Sequence, residues 1–139
     1  MTTKPSLLDV YRKAIYTVPE FELDILIDKK NPNLDKALKA LKSGKVKSWV
    51  FITADNPHSR MRSSAENTRA FLTLEERIKK SEHVYYDGWA KSIRNDWPPE
   101  HALFILDIPM EDALQIAKDF EQKAIVVGEL GKNATLVEI

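Results

Sequence analysis

Between Asn56 and Arg69 the chain concentrates the side chains best suited to chemistry: Asn56, Ser59, Arg60, Arg62, Glu66, Asn67 and Arg69. Guanidinium groups grip phosphate or carboxylate through paired N–H donors. Ser63 and Glu66 match the capping-box pattern of a helix start. The free N–H groups and positive dipole end of such a helix favour an anion. One reading is therefore an anion site framed by Arg60, Arg62 and Arg69; the other is arginines on a solvated turn. Asn56 and Ser59 either shape a pocket wall or hold a turn through their own side chains. Glu66 is a capping carboxylate, or else a general acid/base, for which no second carboxylate stands at a telling spacing. Asn67 falls one turn before Phe71, near the buried stripe, where an unsatisfied amide costs about 1–3 kcal/mol. It either ties strand to helix or meets a ligand. Further along, Trp97 is a packed lid or a stacking platform, and Gln122 cross-links a helix end or joins the site.

Composition removes several chemistries. There is no cysteine, which excludes disulfides, thiolate catalysis and cysteine-based metal sites. His58, His83 and His101 are scattered without metal-ligand spacing, so no metal and no cofactor is expected. Ser59 beside His58 is not a triad, because adjacency does not create a hydrogen-bonded base. With four glycines in all, there is no glycine-rich phosphate loop. Lysine plus arginine equals aspartate plus glutamate at 21 each, so the whole-molecule field does not attract nucleic acid or an anionic membrane. No apolar run approaches the ~20 residues of a membrane span, and the N-terminus lacks a signal-peptide core. A cytoplasmic protein is expected.

The elements that must position these residues follow from periodicity. At 139 residues, with 43% apolar and 30% charged, the chain reads as one globular domain over residues 1–139. Residues 6–13 suit a short helix capped by Ser6. Phe21, Leu23, Ile25 and Ile27 alternate with polar residues and predict a half-wet strand. Asn33 is placed to cap a helix with Leu34, Ala37, Leu38 and Leu41 inward, stopped by Ser43-Gly44. Residues 49–52 form an unalternated apolar run, as in a strand covered on both faces. It ends at Asp55-Asn56-Pro57, and a helix starts at Ser63 or Ser64. A strand at 83–86, a turn at Asp87-Gly88 and an ordered loop over 89–101 are expected next. Another buried strand covers 102–106, and a helix follows with Pro109 in its first turn. Strands at 124–127 and 134–139 close the chain. The spacing predicts an α+β or α/β layered domain. Its sheet would be mixed, with parallel parts, five to six strands and three to four helices.

Four motifs in this order carry a resemblance: ITADNPHSR, AENTR, DWP before an apolar strand, and FEQKAIVV. They resemble domain-of-unknown-function family 3293, a group of small bacterial proteins without an assigned activity. That family's pattern runs T-A-W-N-P-x-S, E-N-x-x-R, W-P-E-P-S and F-G-Q-N-A, and the resemblance spans roughly residues 14–137. Asp55 stands where the family has Trp, Pro99-Glu100-His101 disturbs the acidic-proline-serine run, and Lys123 replaces Asn. The resemblance implies a conserved unit and no particular reaction.

The leading expectation is a binding module with a polar pocket at the end of the central strand, taking an anionic small molecule, a nucleotide or a nucleic-acid end. The alternatives are a protein-interaction module built on the Trp89–Trp97 loop, and a hydrolase or transferase acting on a phosphorylated substrate with Glu66 as acid/base. Oligomeric state is open.

Overall fold

The computed structural model describes residues 7–41, 45–56, 60–93 and 98–139. In chain order the elements are α1 (Leu7–Lys13), β1 (Ile15–Val18), a 3-10 turn at Pro19–Phe21, β2 (Leu23–Ile25), α2 (Pro32–Ala40), β3 (Ser48–Thr53) and α3 (Ser64–Lys80). They continue with β4 (Tyr85–Lys91), β5 (Glu100–Leu106), α4 (Met110–Asp119), β6 (Ala124–Glu129) and β7 (Thr135–Glu138). The strands form one seven-stranded sheet in the order β2-β1-β4-β5-β3-β6-β7. Every strand pairing is antiparallel.

That result corrects the expectation of a mixed sheet with parallel parts and of five to six strands. The β–helix–β signals are genuine, but each is split. β3 and β4 are joined through α3 and run the same way, with β5 inserted between them; β5 and β6 are joined through α4, with β3 between. The run β3-α3-β4-β5-α4-β6 is the split βαβ, ferredoxin-like arrangement. Local periodicity registers the crossover helix and not the strand that slips in between. β1 was not expected at all, being four residues long and lying beside a proline turn.

The central strands are apolar on both faces because both faces are covered. Trp49, Phe51, Phe104 and Val126 point to one core, together with Tyr16, Val18, Ile25 and Leu38. Val50, Ile52, Leu103 and Ile105 point to a second, under Phe71, Leu74 and Ile78 of α3 and Ala113, Ile116 and Ala117 of α4. The first face is concave. The sheet curls until its two edges approach: a bridge joins Ile27 to Ala134, and the Asp28 N–H donates to the Ala134 carbonyl at 2.8 Å.

Other local expectations are adjusted. α2 is capped by Asn31, whose Oδ1 accepts from the Leu34 N–H at 3.0 Å, and not by Asn33. Pro32 can then occupy the first turn, where its missing N–H costs nothing. Pro109 is itself the N-cap of α4. Asp87-Gly88 is not a turn but the middle of β4. Glycine is required there because the Phe51 ring lies across it, and a Cβ would stand 2.5 Å from Phe51 Cε2. The expected loop over 89–101 is correspondingly shorter, its ends belonging to β4 and β5. Ser6 and Ser43-Gly44 lie outside the described residues. No helix among the described residues is long and apolar enough to cross a membrane.

Candidate functional site

β3 runs out at Thr53, and the chain then has to turn back onto α3. Thr53 Oγ1 starts the turn, donating to the His101 carbonyl (2.7 Å) while accepting from the Asp55 N–H (3.0 Å). Asn56 sits at φ +47°, a left-handed conformation that asparagine tolerates better than most residues. Its amide ties the site together. Oδ1 accepts from the Arg62 N–H (2.8 Å) and from Asn67 Nδ2 (3.0 Å), and Nδ2 donates to Glu100 Oε2 (2.8 Å). The Asn56 N–H in turn donates to Asn67 Oδ1 at 2.9 Å. Asn56 and Asn67 thus share a reciprocal pair of bonds linking strand end to helix.

α3 begins with the full capping box. Ser63 Oγ accepts from the Glu66 N–H, and Glu66 Oε1 accepts from the Ser63 N–H and hydroxyl. The Ser63 bonds hold the Glu66 carboxyl below its usual pKa range, with Arg62 and Arg69 adding to the effect. A carboxylate of the protein itself therefore occupies the position where a helix start draws an anion.

Beside this turn lies a cleft of about 440 Å³. Its lining combines polar residues, among them Asp55, Asn56, Arg62 and Asn67, with the aromatic rings of Phe71, Trp89 and His101. His101 is sandwiched there between Phe71, with centroids 3.7 Å apart and planes at 15°, and Trp89, at 4.4 Å and 9°. Its Nε2 lies 3.3 Å from Asp87 Oδ1, and its backbone N–H donates to Asp55 Oδ2 at 3.0 Å. Burial pushes the Asp55 carboxyl up, partly offset by that bond and by the histidine nearby.

The structure brings Asn56, Asn67 and Arg62 to the cleft, while Glu66 is outside its lining and engaged with Ser63. Arg60 and Arg69 are exposed and outside its lining. Gln122 is elsewhere, its Nε2 donating to the carbonyls of Asp55 (3.1 Å) and Phe120 (3.2 Å) behind the turn. Ser59 and Trp97 lie outside the described residues. Sequence reasoning missed Trp89, His101 and Asp87, which meet through the β4–β5 register, Trp89 being paired with His101. The available signal was the alternation of His101 with Leu103 and Ile105, which puts all three on the helix side. Among the described residues no group of three or more His, Asp or Glu side chains is placed to hold a metal.

The turn, Asn67 and Arg69 at the start of α3 and Gln122 after α4 all fall inside a family model, a protein of unknown function (DUF3293), that matches residues 52–125. The chain belongs to DUF3293. The matched segment is just over half of the 139 residues and runs from the end of β3 through α3, β4, β5 and α4 to the start of β6; most of β3 and β6 and all of β1, β2 and β7 lie outside it. No curated protein and no solved structure shows detectable similarity.

Proposed function

We propose that this DUF3293 protein is a binding module whose cleft takes an anionic small molecule carrying a flat ring, a nucleotide being the first choice. The observation that carries this reading is the presence of Arg62 and a stacked aromatic cluster in the lining of one cleft of about 440 Å³. That volume falls within the ~300–1,000 Å³ usual for small-ligand sites. The ring edge of His101 and the half-buried Trp89 suit a planar group, and the Arg62 guanidinium suits its phosphate or carboxylate. A nucleic-acid end has the same chemistry, without long-range attraction from a chain of zero net charge.

Binding is favoured over phosphoryl hydrolysis or transfer with Glu66 as acid/base. A carboxylate with a lowered pKa is a weak base and stays ionised, the opposite of the upward tuning that acid/base catalysis needs. Against the protein-interaction reading, the Trp89 ring is already engaged with His101 as part of the cleft wall.

The test is thermal shift with AMP, ADP and aromatic carboxylates on the native chain and on Arg62→Ala/Arg69→Ala. A ligand at 100 times its Kd stabilises by about 2.7 kcal/mol, so a bound nucleotide raises Tm visibly. Both arginines are exposed, so the double variant should keep the native unliganded Tm and lose the shift. A shift that survives in the double variant, or an unliganded Tm that falls as far as the shift does, defeats the anion assignment.

A further inference from the structure

Two hydrogen-bond acceptors in the cleft are left open by the protein's own bonding. The first is on Asp55, which is buried at 7% exposure. Its Oδ2 accepts from the His101 N–H at 3.0 Å, while Oδ1 has no partner among the described residues. Every buried side-chain nitrogen or oxygen of the described residues does have a partner. Oδ1 is therefore open, and Asp55 lines this cleft. The second acceptor is on His101. Phe71 and Trp89 cover the two faces of its ring, which leaves the edge. The Asp87 carboxylate can only accept, so in the neutral imidazole Nε2, 3.3 Å from Asp87 Oδ1, carries the proton and Nδ1 keeps its lone pair. Nδ1 also lacks a partner among the described residues, and by the same reasoning it is open. The donors of the lining belong instead to the turn and to α3. They are the Arg62 guanidinium and the second Nδ2 hydrogens of Asn56 and Asn67, with the Ser64 and Thr68 hydroxyls able to take either part.

A ligand that matches this division carries N–H donors on its ring and negative charge on its tail. We infer that Asp55 Oδ1 and His101 Nδ1 set the specificity of the cleft, and that the ring they select is a guanine-type base with two adjacent N–H donors. Guanine presents N1–H beside its 2-amino group. Adenine and cytosine place an acceptor next to their amino group, and uracil flanks its single N–H with two acceptors. Single bases are read along these edges wherever they are held out of a stack. Met61, Trp89 and Pro98 offer apolar surface to the base. The inference rests on the anion reading of the cleft, since Arg62 still holds the phosphate. It also gives the buried Asp55 a purpose: a carboxylate that is costly in the empty protein gains a charge-assisted bond when a donor arrives.

The experiment is calorimetric titration of the full chain with GMP, IMP and AMP. The three share sugar and phosphate and carry two, one and no N–H donor groups at ring positions 1 and 2. GMP is expected to bind about tenfold tighter than IMP, as for loss of one buried hydrogen bond, with AMP weakest. Two variants accompany the series. Asp55→Asn keeps an oxygen for the His101 N–H but turns an amino group to the cleft, and should bring GMP level with AMP. His101→Phe keeps a ring in the stack but removes Nδ1, and should weaken GMP about tenfold. Equal affinity for the three nucleotides leaves the anion site standing and overturns the inference. So does a preference for GMP that is unchanged in Asp55→Asn. Absence of binding by all three removes the anion site and the inference with it. If either variant fails to fold, the ranking of the three nucleotides on the native chain decides alone.

Discussion

At the scale of single residues, Asp55 is the least comfortable group in the molecule. It is 7% exposed and satisfies one carboxylate oxygen on the His101 N–H. Burial nevertheless raises its pKa. A carboxyl whose native pKa exceeds its unfolded one adds stability that is full below the unfolded pKa and is lost as pH rises through the native pKa. At neutral pH Asp55 is therefore a net cost. Asp55→Asn keeps an oxygen for His101 and removes the charge. It should melt higher than the native chain at pH 7, with the gap closing as pH falls to about 3, where the native carboxyl is also neutral. A melting curve at pH 7 that is unchanged or lower would show that the charge-assisted bond outweighs desolvation. Asn56 and Asn67 show the opposite economy, two amides that satisfy each other, and that partnership was half legible. A polar residue near the buried stripe announces that it needs a partner without naming it.

At the scale of elements, α3 was readable because its determinants are local. The Ser63–Glu66 box fixes its start, and Phe71, Leu74 and Ile78 recur on one side, all buried. Ser63→Ala removes the acceptor for the Glu66 N–H and frees Glu66 from the box. The expected loss is about 1 kcal/mol, within the ~0.5–2 kcal/mol range for such caps, measured as a lower urea midpoint with an unchanged m-value. A change in m would place the effect in the denatured state instead. β4 was not readable, for the complementary reason. Gly88 resembles a turn signal until Phe51, on another strand, is seen lying over it. The Trp89–His101–Phe71 stack depends likewise on register between β4 and β5 and on where α3 docks, none of which a single segment encodes. For Gln122, just after α4, the sequence leaves a helix-end cross-link and a place in the site both open; its amide makes the cross-link, bracing the turn from behind through the Asp55 and Phe120 carbonyls.

At the scale of the whole molecule, the family match takes in α3, β4, β5 and α4 but only the adjoining ends of β3 and β6. The sheet consists of the split βαβ run from β3 to β6 and the strands β1, β2 and β7, which carry its edges round towards each other. That closure is thin. β3 and β5 are each paired along both edges and buried on both faces. Among the described residues the join between the β2 and β7 sides carries one bridge, the 2.8 Å Asp28–Ala134 bond, a longer Ala134–Lys29 bond at 3.4 Å, the Asn133 side chain on the Asp28 carbonyl at 3.2 Å and the Gly131 N–H on Asp35 Oδ1 at 2.9 Å. Segments held by few buried contacts open well below the global unfolding free energy. Native-state hydrogen exchange should therefore find the amides of Phe51, Ile52, Phe104 and Ile105 exchanging only by global unfolding. The Asp28 and Ala134 amides should exchange through a lower-energy opening that is less sensitive to denaturant. Equal protection at the seam and in β3 would mean instead that the curled sheet behaves as one closed cooperative unit.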